Sequence, residues 1–168
     1  MRIFLIGFMG CGKTTLGKKL AQKMSYSFMD LDYELEKAAG VSVSNYFSVN
    51  GEEAFRILEK GTLNTLDYPT NCIVSTGGGT PCFFDNMEFM NRSGITIYVD
   101  LSPLALAKRL EHGKHKRPLI ASMDEQQLVA FIKEKLEERH PYYERSFLTV
   151  NGINITPEQV RNELFQIF

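Results

Sequence analysis

The sequence predicts an α/β fold, a parallel β-sheet covered by helices, and three observations carry that prediction. Short apolar runs alternate with longer stretches of helical period. The first run opens directly into a glycine-rich turn, and no repeat, low-complexity tract or linker interrupts the order. With 168 residues, 43% hydrophobic and 23% charged, the chain has the size and composition of one domain, residues 1–168.

In order, strands are expected at Arg2–Ile6, 27–29, Cys72–Ser75, 95–99 and 148–150, five in one sheet. Residues 13–24 set Leu16, Leu20 and Met24 four apart, and 53–66 set Phe55, Leu58, Thr62 and Leu66 on one face, so each is a helix with one buried stripe. A short helix, 33–39, follows the second strand, with Asp30 or Asp32 as its cap. Ser102 caps the helix 104–110 with Pro103 at its first position. Residues 112–124 hold glycine, proline and three lysine or arginine residues without an apolar period, which predicts an exposed, mobile loop. A polar helix, 125–139, ends before His140-Pro141, because the residue preceding a proline leaves the helical region. The last helix, 157–168, starts behind Thr156 and carries Val160, Leu164 and Ile167 on one face.

Composition excludes several roles. A formal net charge of -1 gives no general attraction to nucleic acid or to an acidic membrane. No apolar run approaches the roughly 20 residues that span a bilayer, and the run at residues 3–6 enters a glycine loop instead of a cleavage site. Cys11, Cys72 and Cys82 form no C-x-x-C pair, which points to reduced thiols in a cytoplasm, not to disulfides or zinc.

Gly7-Phe8-Met9-Gly10-Cys11-Gly12-Lys13-Thr14 fits G-x-x-x-x-G-K-[ST], after an apolar strand and at a helix start. Glycines let backbone N–H groups turn toward phosphate oxygens, and the helix N-terminus favours negative charge. Lys13 then meets the β and γ phosphates, and the Thr14 hydroxyl ligates Mg2+. Gly10, Cys11, Gly12, Lys13, Thr14 and Thr15 form the expected nucleotide set, with Cys11 a tolerated small residue and not a nucleophile. Asp30 and Asp32 sit two apart at the end of the second strand, so both project to the crevice at the carboxyl edge of a parallel sheet. One could order magnesium waters and the other accept a hydrogen bond from an acceptor hydroxyl; helix capping explains them equally well.

Lys13-Thr14, Asp30-x-Asp32, Phe55-Arg56, Gly77-Gly78-Gly79, Arg117-Pro118-Leu119 and Arg139-x-Pro141-x-Tyr143 occur in the order and near the spacing of shikimate kinases, which the chain resembles over almost its whole length. The resemblance implies a three-layer α/β/α P-loop fold with strand order 2-3-1-4-5 and transfer of the ATP γ-phosphate to the 3-hydroxyl of shikimate, with ATP as co-substrate and Mg2+ as cofactor. It also implies that Asp32 holds the shikimate hydroxyls and acts as base, and that Asp30 supports magnesium through water. A carboxylate needs a planar cation. Arg56 and Arg139 are the candidates, although Arg56 also reads as an exposed arginine paired with Glu52, Glu53 or Glu59, and Arg139 as a cation at a helix C-terminus. Gly77, Gly78 and Gly79 allow a ligand close to the backbone, or else form a flexible turn. The family borders both substrates with this triplet, Gly78 contacting shikimate.

The cations of 112–124 suit a lid that closes over phosphates, with Arg117 stabilising the transferring charge; a solvated basic turn is the other reading. His112 and His115 are expected to face solvent. Resemblance places Arg109 near the adenine and the shikimate-binding region at 33–61. Asp100 ends an apolar strand in the manner of a magnesium-binding acid, yet it reads better as the turn before the Ser102 cap. Asn151 stands where the family often has an acid in the adenine loop, leaving backbone and packing contacts there. The expected molecule is a cytoplasmic monomer; a gluconate- or nucleotide-type kinase and a nucleotide-dependent switch are the alternatives.

Overall fold

Five strands form one parallel sheet in this computed structural model, which describes residues 1–167: β1 (Arg2–Ile6), β2 (Ser27–Asp30), β3 (Cys72–Ser75), β4 (Ile95–Asp100) and β5 (Leu148–Asn151). Their order is β2-β3-β1-β4-β5, with Leu5 level with Ser75 on one side and Ile97 on the other. Seven α-helices alternate with the strands among the described residues: α1 (Lys13–Met24), α2 (Leu31–Ala39), α3 (Val43–Thr65), α4 (Asn86–Ser93), α5 (Pro103–Glu111), α6 (Glu125–Tyr143) and α7 (Pro157–Ile167).

Side chains alternate across a strand, so β1 sends Ile3 and Leu5 to one face and Phe4 and Ile6 to the other. The first face packs on α1, α5 and α7 through Leu16, Leu20, Leu106, Leu110, Val160 and Leu164. The second packs on α2, α3 and α4 through Leu31, Leu35, Phe55, Leu63, Met87 and Met90. The result is the expected three layers.

Several boundaries move. α2 starts at Leu31, two residues earlier than expected, because the Asp30 carboxylate accepts from Asp32 N–H and caps it. α3 starts at Val43, not near residue 53, with Ser42 as cap, and bends at Gly51, whose φ of 81° breaks the helix. The limb before Gly51 carries only a short apolar stripe, Val43, Tyr46 and Phe47, cut off from the rest of the helix by Asn50-Gly51. α4 was not expected at all. α6 does not stop at residue 139: it continues through Pro141 to Tyr143. The proline removes one backbone donor, but Tyr143 is fully buried and its ring stacks on Tyr98, so packing holds the turn. Arg139 therefore lies inside the helix and does not sit at its C-terminal end.

Ser102 caps α5 and Thr156 caps α7, as the sequence predicts. The last position of the final helix, Phe168, lies outside the described residues. Residues 112–124 are less free than their composition implies: Ile120 is buried, Lys114–Lys116 form a 3-10 turn, and the Lys114 ammonium donates to the Met123 carbonyl at 2.7 Å. The segment is anchored at its base, because one isoleucine and one lysine suffice where no helical period exists.

Candidate active site

The glycine loop joins β1 to α1. Gly7 has φ 143°, and a Cβ there would stand 2.8 Å from the Val99 carbonyl oxygen, so only glycine fits. Lys13 is buried, and its ammonium donates to the carbonyls of Gly7 at 2.8 Å and Phe8 at 3.0 Å. Cys11 is buried behind the loop, 3.6 Å from that ammonium, consistent with a packing role. The Thr14 hydroxyl donates to Asp30 Oδ2 at 3.1 Å and lies 3.1 Å from Ser75 Oγ. Asp30 thus caps α2 with one oxygen, the capping reading of this residue, and accepts from the Thr14 hydroxyl with the other.

Two clefts meet here. The smaller, about 370 Å³, is lined by Lys13, Thr14, Thr15, Asp30, Ser75 and Arg117 among others. The larger, about 650 Å³, lies under α3 and α6 and is lined by Phe47, Phe55, Arg56, Gly79, Phe83 and Arg139 among others. Met9, Asp32, Gly77 and Gly78 belong to both. Asp32 keeps surface open to this junction, yet the crowding walls desolvate its carboxyl. That burial, helped by the charges of Asp30 and Glu59 and opposed by Lys13, raises it to about 6.

Arg56 is buried, which overturns its reading as an exposed arginine. It does pair with two of the acids that reading named: Glu59 at 2.9 Å and Glu52 at 3.4 Å. Its guanidinium lies 4.0 Å from the Phe83 ring centroid, and its buried Nε has no protein partner. A Cβ on Gly79 would stand 2.5 Å from Arg56, and one on Gly78 3.2 Å from Arg139, so the triplet must be side-chain-free for both cations to approach. Glu59 accepts from the Thr80 hydroxyl at 2.7 Å as well as from Arg56. Arg139 lies over the Phe8 ring at 5.2 Å.

A third cleft, about 540 Å³, runs between the glycine loop and the start of α7, lined by Thr15, Arg109, Gly152, Ile155 and Pro157 among others. Arg109 bridges its two sides, donating to the Cys11 carbonyl at 2.9 Å and the Gly152 carbonyl at 3.1 Å. Asn151 turns its side chain back on its own loop, accepting from Ile153 N–H. Asp100 accepts from the Tyr98 hydroxyl and lines a separate cavity with Ser102, Lys133 and His140, away from the phosphate cleft. His112 and His115 are exposed. Sequence reasoning missed Ser75, Phe47, Phe83 and Leu119 as cleft residues, and the buried setting of Glu59. Only Glu59 had a local signal, its place three residues after Arg56 on one helix face.

A nucleotide loop at the carboxyl edge of a 2-3-1-4-5 sheet, opening beside a cation-lined acceptor cleft, defines a P-loop phosphotransferase of the small-molecule kinase type. The model of one family, described as shikimate kinase, matches residues 9–168. A shikimate kinase of Parabacteroides distasonis is 46% identical, covering 99% of this chain and 98% of that one. The crystal structure of shikimate kinase from Bacteroides thetaiotaomicron superposes with a TM-score of 0.90 at 39% identity, covering 99% of this chain and 97% of that one. That of Acinetobacter baumannii shikimate kinase in complex with shikimate does so at 0.84 and 30% identity, covering 99% and 91%. The chain belongs to the shikimate kinase family.

Proposed function

We propose that this chain transfers the γ-phosphate of ATP to the 3-hydroxyl of shikimate, giving shikimate 3-phosphate and ADP. The observation that carries the reading is the junction of the two clefts at Asp32 and Gly77-Gly78, with two arginines in the acceptor half. A small cyclic acid needs a planar cation for its carboxylate and a short acceptor for its hydroxyls. Arg56 and Arg139 meet the first need, since both line the acceptor cleft. Asp32 meets the second.

In this reading Asp32 takes the proton of the attacking hydroxyl while the new O–P bond forms and the β,γ-bridging O–P bond breaks, releasing ADP. Lys13 and the loop N–H groups, with the Thr15 face of α1, hold the β and γ phosphates, and Arg117 from the 112–124 lid neutralises charge as it moves. Leu119 of the same lid lines the acceptor cleft and helps exclude water. The adenine occupies the third cleft beside Arg109, on backbone and packing contacts.

Thr14, Asp30 and Ser75 offer hard oxygen donors that suit Mg2+, Asp30 acting through water. The described residues hold no cluster of three acids, histidines or cysteines for a metal, which fits an ion shared with substrate phosphates. Held there by Thr14 and, through water, by Asp30, Mg2+ would screen the phosphate charge.

No helix among the described residues is long and apolar enough to cross a membrane, and the three cysteines are free. We assign a cytoplasmic location and a monomer to this reading, as the sequence suggests. Coupled ADP release with shikimate, gluconate, quinate and nucleoside monophosphates tests it. Shikimate is expected to give the highest kcat/KM. A rate no greater than background ATP hydrolysis would sink the assignment.

A further inference from the structure

Tyr143 occupies the last turn of α6, fully buried, with its ring 4.9 Å from that of Tyr98. Its hydroxyl donates to the Gly78 carbonyl at 2.5 Å. The preceding peptide is held too, because the Gly77 carbonyl accepts from Thr80 N–H at 3.1 Å. Carbonyl and N–H point in opposite directions across a trans peptide, and the described residues contain no cis bond. Both carbonyls are drawn toward buried partners, Tyr143 and Thr80. The N–H groups of Gly78 and Gly79 are therefore turned the other way, and these glycines line the acceptor cleft. A Cβ on Gly79 would meet Arg56 and one on Gly78 would meet Arg139, so each of these glycines neighbours one guanidinium group.

We infer that Tyr143 is a positioning residue for the acceptor carboxylate: its hydroxyl fixes the Gly78–Gly79 peptide so that the Gly79 N–H donates between Arg56 and Arg139. Tyr143 does not line the cleft, whereas its neighbour Tyr142 does. One helix thus supplies a cation, Arg139, and one turn later the hydroxyl that orients the amide beside it. The inference rests on the shikimate reading above.

Steady-state kinetics of Tyr143→Phe test it against Tyr98→Phe, which also loses a buried tyrosine hydroxyl, the one bonded to Asp100. Tyr143→Phe should raise the shikimate KM about tenfold, the scale of one hydrogen bond, with ATP KM and kcat changed less than about twofold. Tyr98→Phe should leave the shikimate KM unchanged. A shikimate analogue with its carboxylate reduced to an alcohol should be used equally well by wild type and Tyr143→Phe. An unchanged shikimate KM in Tyr143→Phe, or an equal rise in Tyr98→Phe, overturns the positioning role. Should Tyr143→Phe not fold, shikimate titrated into wild type labelled with 15N-glycine decides. The Gly79 amide proton moves downfield if the inference holds; if it stays in place while shikimate-dependent turnover persists, the inference fails alone. Absence of shikimate-dependent ADP release from wild type removes the parent reading and this one together.

Discussion

Asp32 sits beside Asp30 and Glu59 at a crowded junction that desolvates its carboxyl in part while the residue stays exposed, and Lys13 pulls its pKa down. With the group raised to about 6, kcat/KM for shikimate should fall tenfold per pH unit below about 6, a profile that stopped-assay kinetics reads directly. The same shift has a stability consequence of definite sign. A folded-state pKa above the ordinary 3.8 means the fold disfavours the ionised form, so Asp32 costs stability above about pH 6, and the cost fades as pH falls toward 3.8. Asp32→Asn should accordingly melt higher than wild type at pH 8, show no such advantage near pH 4, and lose at least about a hundredfold in kcat while still binding ATP. Near wild-type turnover would remove Asp32 from the chemistry. Arg56→Ala belongs to the same scale: it should raise the shikimate KM by roughly one to two orders of magnitude, because a cation for the substrate carboxylate disappears and Glu59 keeps only the Thr80 hydroxyl as partner.

Elements differ in how much of their form is locally caused. β1, the glycine loop and α1 were readable because each position has its own reason: an apolar run, glycines at positive φ, a lysine and a threonine at a helix start. The end of α6 was not readable, since Pro141 argues for a stop and only Tyr98, far away in sequence, supplies the stacking surface that keeps Tyr143 helical. Burial of Arg56 was equally hidden, for it depends on Phe83, Thr80 and Gly79 arriving from another segment. If packing holds that last turn against the proline, Pro141→Ala should restore a helix donor and raise stability by about 1–2 kcal/mol, after allowing for the freer unfolded chain. Thermal unfolding measures it; a lower melting temperature would mean that Pro141 is favourable where it stands.

At the level of the whole molecule, two cores on either face of one sheet carry the stability and the carboxyl edge carries the chemistry. Ile97, fully buried on the interior strand β4, belongs to the first group: Ile97→Ala should destabilise by about 2–5 kcal/mol and leave the substrate KM values nearly unchanged. Ligands act through the second group. ATP with magnesium at a hundred times its dissociation constant should add about 2.7 kcal/mol, a rise of several degrees in melting temperature. EDTA should abolish most of that rise if a bound ion contributes to nucleotide binding; an ATP shift insensitive to EDTA would remove the ion from that binding. The wall common to the two clefts also sets a rule for inhibitor chemistry. Because Met9, Asp32, Gly77 and Gly78 line both clefts, the donor and acceptor sites adjoin across a wall only these residues make. A single molecule joining a polyphosphate to a ring carboxylate needs almost no tether, and the shortest linker that spans the junction should gain most from effective concentration.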